Sequence, residues 1–149
     1  MKFHKNRAKS QNQNLPLRVI LIREKKIIEA AYSFLSCSIK QGKLVCIGKI
    51  KPTEYSTEYT VKIVYDAISS PKVFVVDPLI EYHDDIHMYP KDNCLCLYHP
   101  KTDNFYWNSK KDSIHDTIIP WALEWFVYYE LYLISGKWEH PFKPHKISK

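Results

Sequence analysis

"SFLSCSIKQGKLVCIGKI", residues 33–50, sets two runs of alternating side chains on either side of a short Lys-Gln-Gly stretch. Alternation sends neighbouring side chains to opposite faces of an extended chain, and a glycine between two such runs permits a tight reversal. The stretch predicts a β-hairpin. The same period continues downstream. In "EYTVKIVYD", residues 58–66, Tyr59, Val61, Ile63 and Tyr65 share one face, and "PKVFVVDP", residues 71–78, is a short β-rich run bracketed by prolines. Four such runs in succession predict a four-stranded antiparallel meander.

Helical patterns flank these strands. Leu17, Ile20, Leu21, Ile27, Ile28 and Ala31 recur at helical spacing among charged residues, predicting a helix over about Pro16–Ala31 with Pro16 in its first turn. Downstream, "TIIPWALEWFVYYELYLISG", residues 117–136, predicts a second helix closed by Gly136. Helical projection puts Ile118, Trp121, Ala122, Trp125, Tyr129, Tyr132 and Leu133 on one face, expected to pack on the sheet. Leu123, Val127, Leu131 and Ile134 form a second apolar stripe. Burial under the N-terminal helix or the tail is expected there, with a partner surface or homodimer as the alternative. The fold class is α+β, with an N-terminal helix, the meander, a long loop and a C-terminal helix.

The 149 residues suit one domain with its own core. The net charge of +6 lies at the ends. Lys2, Lys5, Arg7 and Lys9, with Lys143, Lys146 and Lys149, account for seven positive charges and leave −1 for residues 10–142. Residues 1–14 therefore read as a flexible basic tail, 15–142 as the domain and 143–149 as a basic C-terminal tail, and no nucleic-acid role is expected. Cys37, Cys46, Cys94 and Cys96 occur without an apolar leader, which points to a reducing cytoplasm. Ile118–Ile134 is short for a membrane span and carries Pro120, Glu124 and Glu130, so no membrane role is expected.

Between Pro78 and Ser113 the apolar period vanishes and His, Asp, Asn, Pro and Tyr accumulate. A loop of that length is a candidate functional segment. His83, His87, Cys94, Cys96 and His99 are possible zinc ligands, but the C-x-C pair would need a tight knuckle to share one metal, and no metal site is expected. Alternation leaves the two cysteines undecided: if Leu95 and Leu97 point inward both thiols face outward, and the reverse buries both.

"IHMYPKDNCLCLYHP" (residues 86–100), Trp107, and "TIIPWALEWFVYYELYLISGKW" (residues 117–138) together resemble the ubiquitin-conjugating-enzyme family, in its divergent bacterial branch from CBASS antiphage systems. The upstream "GKIKPTEYSTEYTVKIVYD" and "PKVFVVDP" resemble that family's central strands, and the resemblance covers about residues 15–138. It implies that Cys96, preceding Leu97 and Tyr98, is the thioester-forming cysteine, with Cys94 a bystander. His87 matches the family's upstream histidine and is the second catalytic candidate beside Cys96, although in the wider family that residue usually supports the loop instead of taking the proton. Asp92-Asn93 stands where the branch has Asp-Gly, and asparagine tolerates the positive φ of such a turn. The His-Pro-Asn triplet is missing, since "HMY" offers no amide for the oxyanion. Backbone N–H groups beside Cys96, or Asn93, or Asn104, must serve instead.

What the resemblance implies is acyl transfer. Cys96 would accept the C-terminus of a cGAS-like nucleotidyltransferase as a thioester and pass it to a lysine amine, priming antiphage signalling. No cofactor is expected at the site. The sequence has no phosphate-cradling glycine-rich loop, so any ATP would be used by a separate activating enzyme. An inert conjugating-like adaptor that binds the nucleotidyltransferase is the alternative, followed by a zinc-binding module.

Overall fold

The computed structural model describes residues 2–140, with side chains from Pro16 onward. A helix α1 (Lys2–Ala31) leads into strands β1 (Leu35–Lys40), β2 (Lys43–Ile50), β3 (Tyr59–Tyr65) and β4 (Lys72–Asp77). A short hairpin, β5 (Met88–Tyr89) and β6 (Cys94–Leu95), a one-turn helix α2 (Pro100–Asp103) and a long helix α3 (Ile118–Ser135) follow. The four main strands pair in chain order, each antiparallel to the last, as the alternation predicts. The helix expected from Pro16 is drawn from Lys2, with Pro16 inside it.

Local chemistry accounts for the turns. Between β1 and β2, Gln41 (φ 53°) and Gly42 (φ 74°) both take positive φ, the geometry of a two-residue turn whose twist matches the strands. Gly48 answers a different demand: a Cβ there would stand 2.2 Å from the Phe34 carbonyl oxygen, so the start of β1 can approach β2 only over a glycine. After β3, Asp66 accepts the backbone N–H groups of Ile68 (2.8 Å) and Ser69 (2.7 Å) and turns the chain into β4.

One sheet face carries the core. Tyr59, Val61, Ile63 and Tyr65 of β3 alternate inward as expected, beside Leu44, Cys46, Val73 and Val75. α3 covers this face with Ile118, Ile119, Ala122, Trp125 and Phe126, and the Phe126 ring lies 4.7 Å from Tyr59. Burying a side chain of that size contributes about 1.5–3 kcal/mol. The observed face differs from the expected one: Ile119 and Phe126 are core, Trp121, Tyr129 and Tyr132 are half-buried, and Leu133 is exposed. Buried positions are confined to the first half of the helix, so projection along its whole length overstates the packed face. The second stripe is also not buried as expected. Val127, Leu131 and Ile134 are exposed, and only Leu123 is half-buried. Any cover from residues 141–149 lies outside the described residues.

α1 turns Ile20, Leu21, Glu24 and Ile28 inward and packs on β1 and β2. Glu24 is fully buried, and its carboxylate accepts Ser113 Oγ (2.8 Å) and Ile114 N–H (2.7 Å), with Arg23 Nε at 3.4 Å. A buried charge held this way fastens α1 to the segment entering α3. At the other end of α3, Glu130 accepts Tyr59 Oη (2.9 Å) and Ser56 Oγ, pinning the β2–β3 loop. Gly136 closes the helix as expected, at φ 77° with its N–H on Tyr132 O (2.8 Å). Among the described residues no helix is long and apolar enough to cross a membrane.

Candidate active site

The long loop is more regular than its composition suggests. β5 and β6 pair Met88 with Leu95 and Tyr89 with Cys94, and Asn93 closes their turn at φ 55° with its N–H on Tyr89 O (2.9 Å). The Asn93 side chain accepts Tyr82 N–H (2.6 Å) and donates to Ile80 O (3.1 Å). Its amide thus buttresses the loop from both ends. Asn104, the other side-chain candidate for the oxyanion, ends α2 in a left-handed conformation and lines neither of the cavities beside the cysteines.

Cys96 follows directly on β6. Its N–H donates to His87 O (3.0 Å), and that carbonyl also accepts Trp125 Nε1 from α3 (2.7 Å). The main helix therefore fixes the backbone on which the thiol is mounted, with the His87 carbonyl as the shared acceptor. The thiol itself donates to Tyr98 O (3.5 Å), which also accepts the Tyr89 hydroxyl (3.1 Å). Tyr98 is held in turn by Ser70 at its hydroxyl (2.7 Å) and by the rings of Phe105 (4.8 Å) and Trp121 (5.8 Å).

Neither outcome of strict alternation occurs: Cys94, Leu95 and Cys96 are all buried, and the Cys96 residue is 4% exposed. Both sides of the segment are covered. On one side β6 runs beside β4, and a groove of about 310 Å³ is lined by Cys94, Tyr89, Tyr98, Ser70 and Lys72. On the other, Cys96 and His87 share a cavity of about 20 Å³ with Trp125, Trp138 and His140, space for about one water molecule. The chain after α3 forms the roof of that cavity. Trp138 stacks on the His87 ring at 5.0 Å, and His140 meets Glu124 (2.8 Å) and the Tyr128 ring (4.6 Å). Burial pushes the Cys96 thiol up to about 11, against a smaller downward pull from the Tyr89 hydroxyl. Burial likewise raises Cys94.

The residues weighed as zinc ligands serve elsewhere. His83 Nδ1 accepts Asp85 N–H (3.1 Å), and His99 caps α2 by accepting Thr102 N–H (3.2 Å). Among the described residues no group of three His, Cys, Asp or Glu side chains is placed to hold a metal. Sequence reasoning missed Tyr89, Tyr98, Trp125 and Trp138 as parts of the site. Their signal was the density of aromatic residues around "CLCLY" and the helix, which periodicity assigns to packing.

The comparisons with known proteins bear on the whole of this arrangement. A family model described as Type II CBASS E2 protein matches residues 24–146. No curated protein matches the chain. The matched span begins at the buried Glu24 and includes the meander, the β5–β6 hairpin, Cys96, α3 and the roof over the small cavity. The chain belongs to the Type II CBASS E2 protein family.

Proposed function

We propose that Cys96 carries an acyl group as a thioester, taken from the C-terminus of a cGAS-like nucleotidyltransferase and delivered to a lysine amine. The observation that carries this reading is the mounting of Cys96, whose backbone is tied through His87 O to α3 and whose thiol is tied to Tyr98 O, within a family match that spans both. In the first step the thiolate attacks the activated carbonyl, an acyl adenylate or another thioester. The S–C bond forms, the adenylate or carrier thiol departs, and the thiol proton goes to solvent. In the second, an amine forms the N–C bond and gives up a proton to solvent, the S–C bond breaks and the Cys96 thiolate returns. Cys96 is 4% exposed, so the reacting sulfur must be uncovered, and we take the roof at Trp138 and His140 as the cover that lifts.

The burial of Cys96 favours a second reading, an inert adaptor that keeps the fold and binds the nucleotidyltransferase. One experiment separates the two. With the nucleotidyltransferase and, where needed, ATP and an activating enzyme, intact-protein mass of the wild type is expected to include an adduct that thiol reductant cleaves. Cys96→Ala is expected to abolish it, Cys94→Ala to keep it, and Cys96→Lys to trap the tail slowly as a reductant-resistant amide. Persistence of the labile adduct in Cys96→Ala, or its absence from the wild type, refutes the carrier role.

A further inference from the structure

The site holds one more polar group at the reacting sulfur. Tyr89 Oη and Cys96 Sγ both donate to Tyr98 O, at 3.1 and 3.5 Å, so the phenol and the thiol converge on one carbonyl that the Ser70 bond and two aromatic rings hold in place. Sharing that carbonyl sets the phenol beside the sulfur, and the phenol pulls the Cys96 thiol down against the upward push of burial. Tyr89 stands on β5, opposite Cys94 across the hairpin, and is 39% exposed on the wall of the larger groove. It therefore connects the open side of the hairpin to the buried thiol.

We propose that Tyr89 is a catalytic residue whose hydroxyl donates a hydrogen bond to the Cys96 thiolate, both when the sulfur attacks and when it leaves. This rests on the reading of Cys96 as an acyl carrier. While the thiol is protonated, S–H and O–H each donate to Tyr98 O. Once the thiol proton leaves, the sulfur has nothing to donate and becomes an acceptor. Rotation about the phenol C–O bond turns the Tyr89 proton from Tyr98 O to the sulfur without moving the ring. The same donor meets the charge that returns to sulfur when the amine displaces it, so one group serves both half-reactions. A donor in this role must keep its own proton, and burial, followed by the bond to Cys96, raises Tyr89 well above the ordinary phenol range. The Asn93 amide, engaged at both ends, leaves this position to the phenol.

The test is the pH profile of Cys96 alkylation by iodoacetamide, followed by intact mass and peptide mapping on the full chain. Tyr89→Phe is expected to shift the profile to higher pH, slowing alkylation on the order of tenfold near pH 8 while the rate at high pH is retained. Tyr55→Phe, an exposed phenol that lines neither cavity beside the cysteines, is expected to follow the wild-type profile. Protection of Cys37 and Cys46 from the reagent reports that each variant is folded. If Tyr89→Phe loses that protection, Tyr89→Met, also without a donor, is read in its place. Superposition of the donor-less and wild-type profiles overturns the proposal. Where the wild type forms the labile adduct, the same variant is expected to slow both its formation and its discharge about tenfold or more. A wild type that forms no adduct refutes the carrier reading alone, and the alkylation profile still decides whether Tyr89 serves the sulfur.

Discussion

Cys37 and Cys46 face one another across β1 and β2, whereas Cys94 and Cys96 follow one another along a short hairpin between two cavities. None of the four is in a disulfide, and all four are buried. Their surroundings differ. The first pair acts on itself: the neighbouring Cys37 thiol, followed by burial, pushes the Cys46 thiol well above the ordinary range while the Cys37 thiol is lowered. α1 packs on the strands that carry them. At Cys96 the sulfur meets a carbonyl and a phenol, and one wall of its cavity is a chain segment beyond the last helix. Burial alone therefore does not set the proposed carrier apart from the other thiols. The polar atoms around the sulfur, and what it takes to uncover it, do.

The largest expected contrast comes from exchanging roles. Cys96→Ala is expected to remove the labile adduct completely, while Cys37→Ala and Cys46→Ala keep wild-type yield in the same mass assay. Equal loss from either pair would break the distinction. A smaller effect tests the roof: Trp138→Ala, which removes the ring stacked on His87, is expected to speed alkylation of Cys96 about tenfold or more and leave Cys37 and Cys46 protected. An unchanged Cys96 rate would show that the thiol is uncovered by another route.

The pH dependence sharpens the comparison further. With the folded thiol raised from 9.0 to about 11, native Cys96 is expected to alkylate ever faster from pH 9 towards pH 11, whereas the rate in denaturant levels off just above 9. The native state keeps a proton that the unfolded chain releases. Its stabilising contribution is thus present below about pH 9 and declines as pH rises towards 11, which urea melts across that range would register. The smallest effect is the cost of truncation in the first pair. Cys46→Ala, at a site with no exposure, is expected to lower stability by about 1–2 kcal/mol, with adduct formation unaffected.

The meander, its hairpin turn and the Gly136 cap were legible because each depends on residues close together in sequence. Period-two alternation states which side chains share a face, and a glycine near a reversal states where positive φ is allowed. The family resemblance read from "CLCLY" and the Pro-Trp helix agrees with the match over residues 24–146. Period alone did less well on α3. It placed Leu133 in the packed face and buried the stripe at Val127, Leu131 and Ile134, because helical spacing does not say how far along the helix the sheet extends beneath it.

The sequence by itself determined the α+β class, the strand order and the segment that carries the candidate nucleophile, since local periodicity and turn chemistry act over a few residues. Only the tertiary structure decided what surrounds that nucleophile. The Trp125 bond to His87 O spans 38 residues, the Tyr98 bond to Ser70 spans 28, and the Glu24 bond to Ile114 spans 90. No local pattern encodes such partnerships. Each polar group finds its partner when separate elements close over it, because a buried donor or acceptor without a partner is costly.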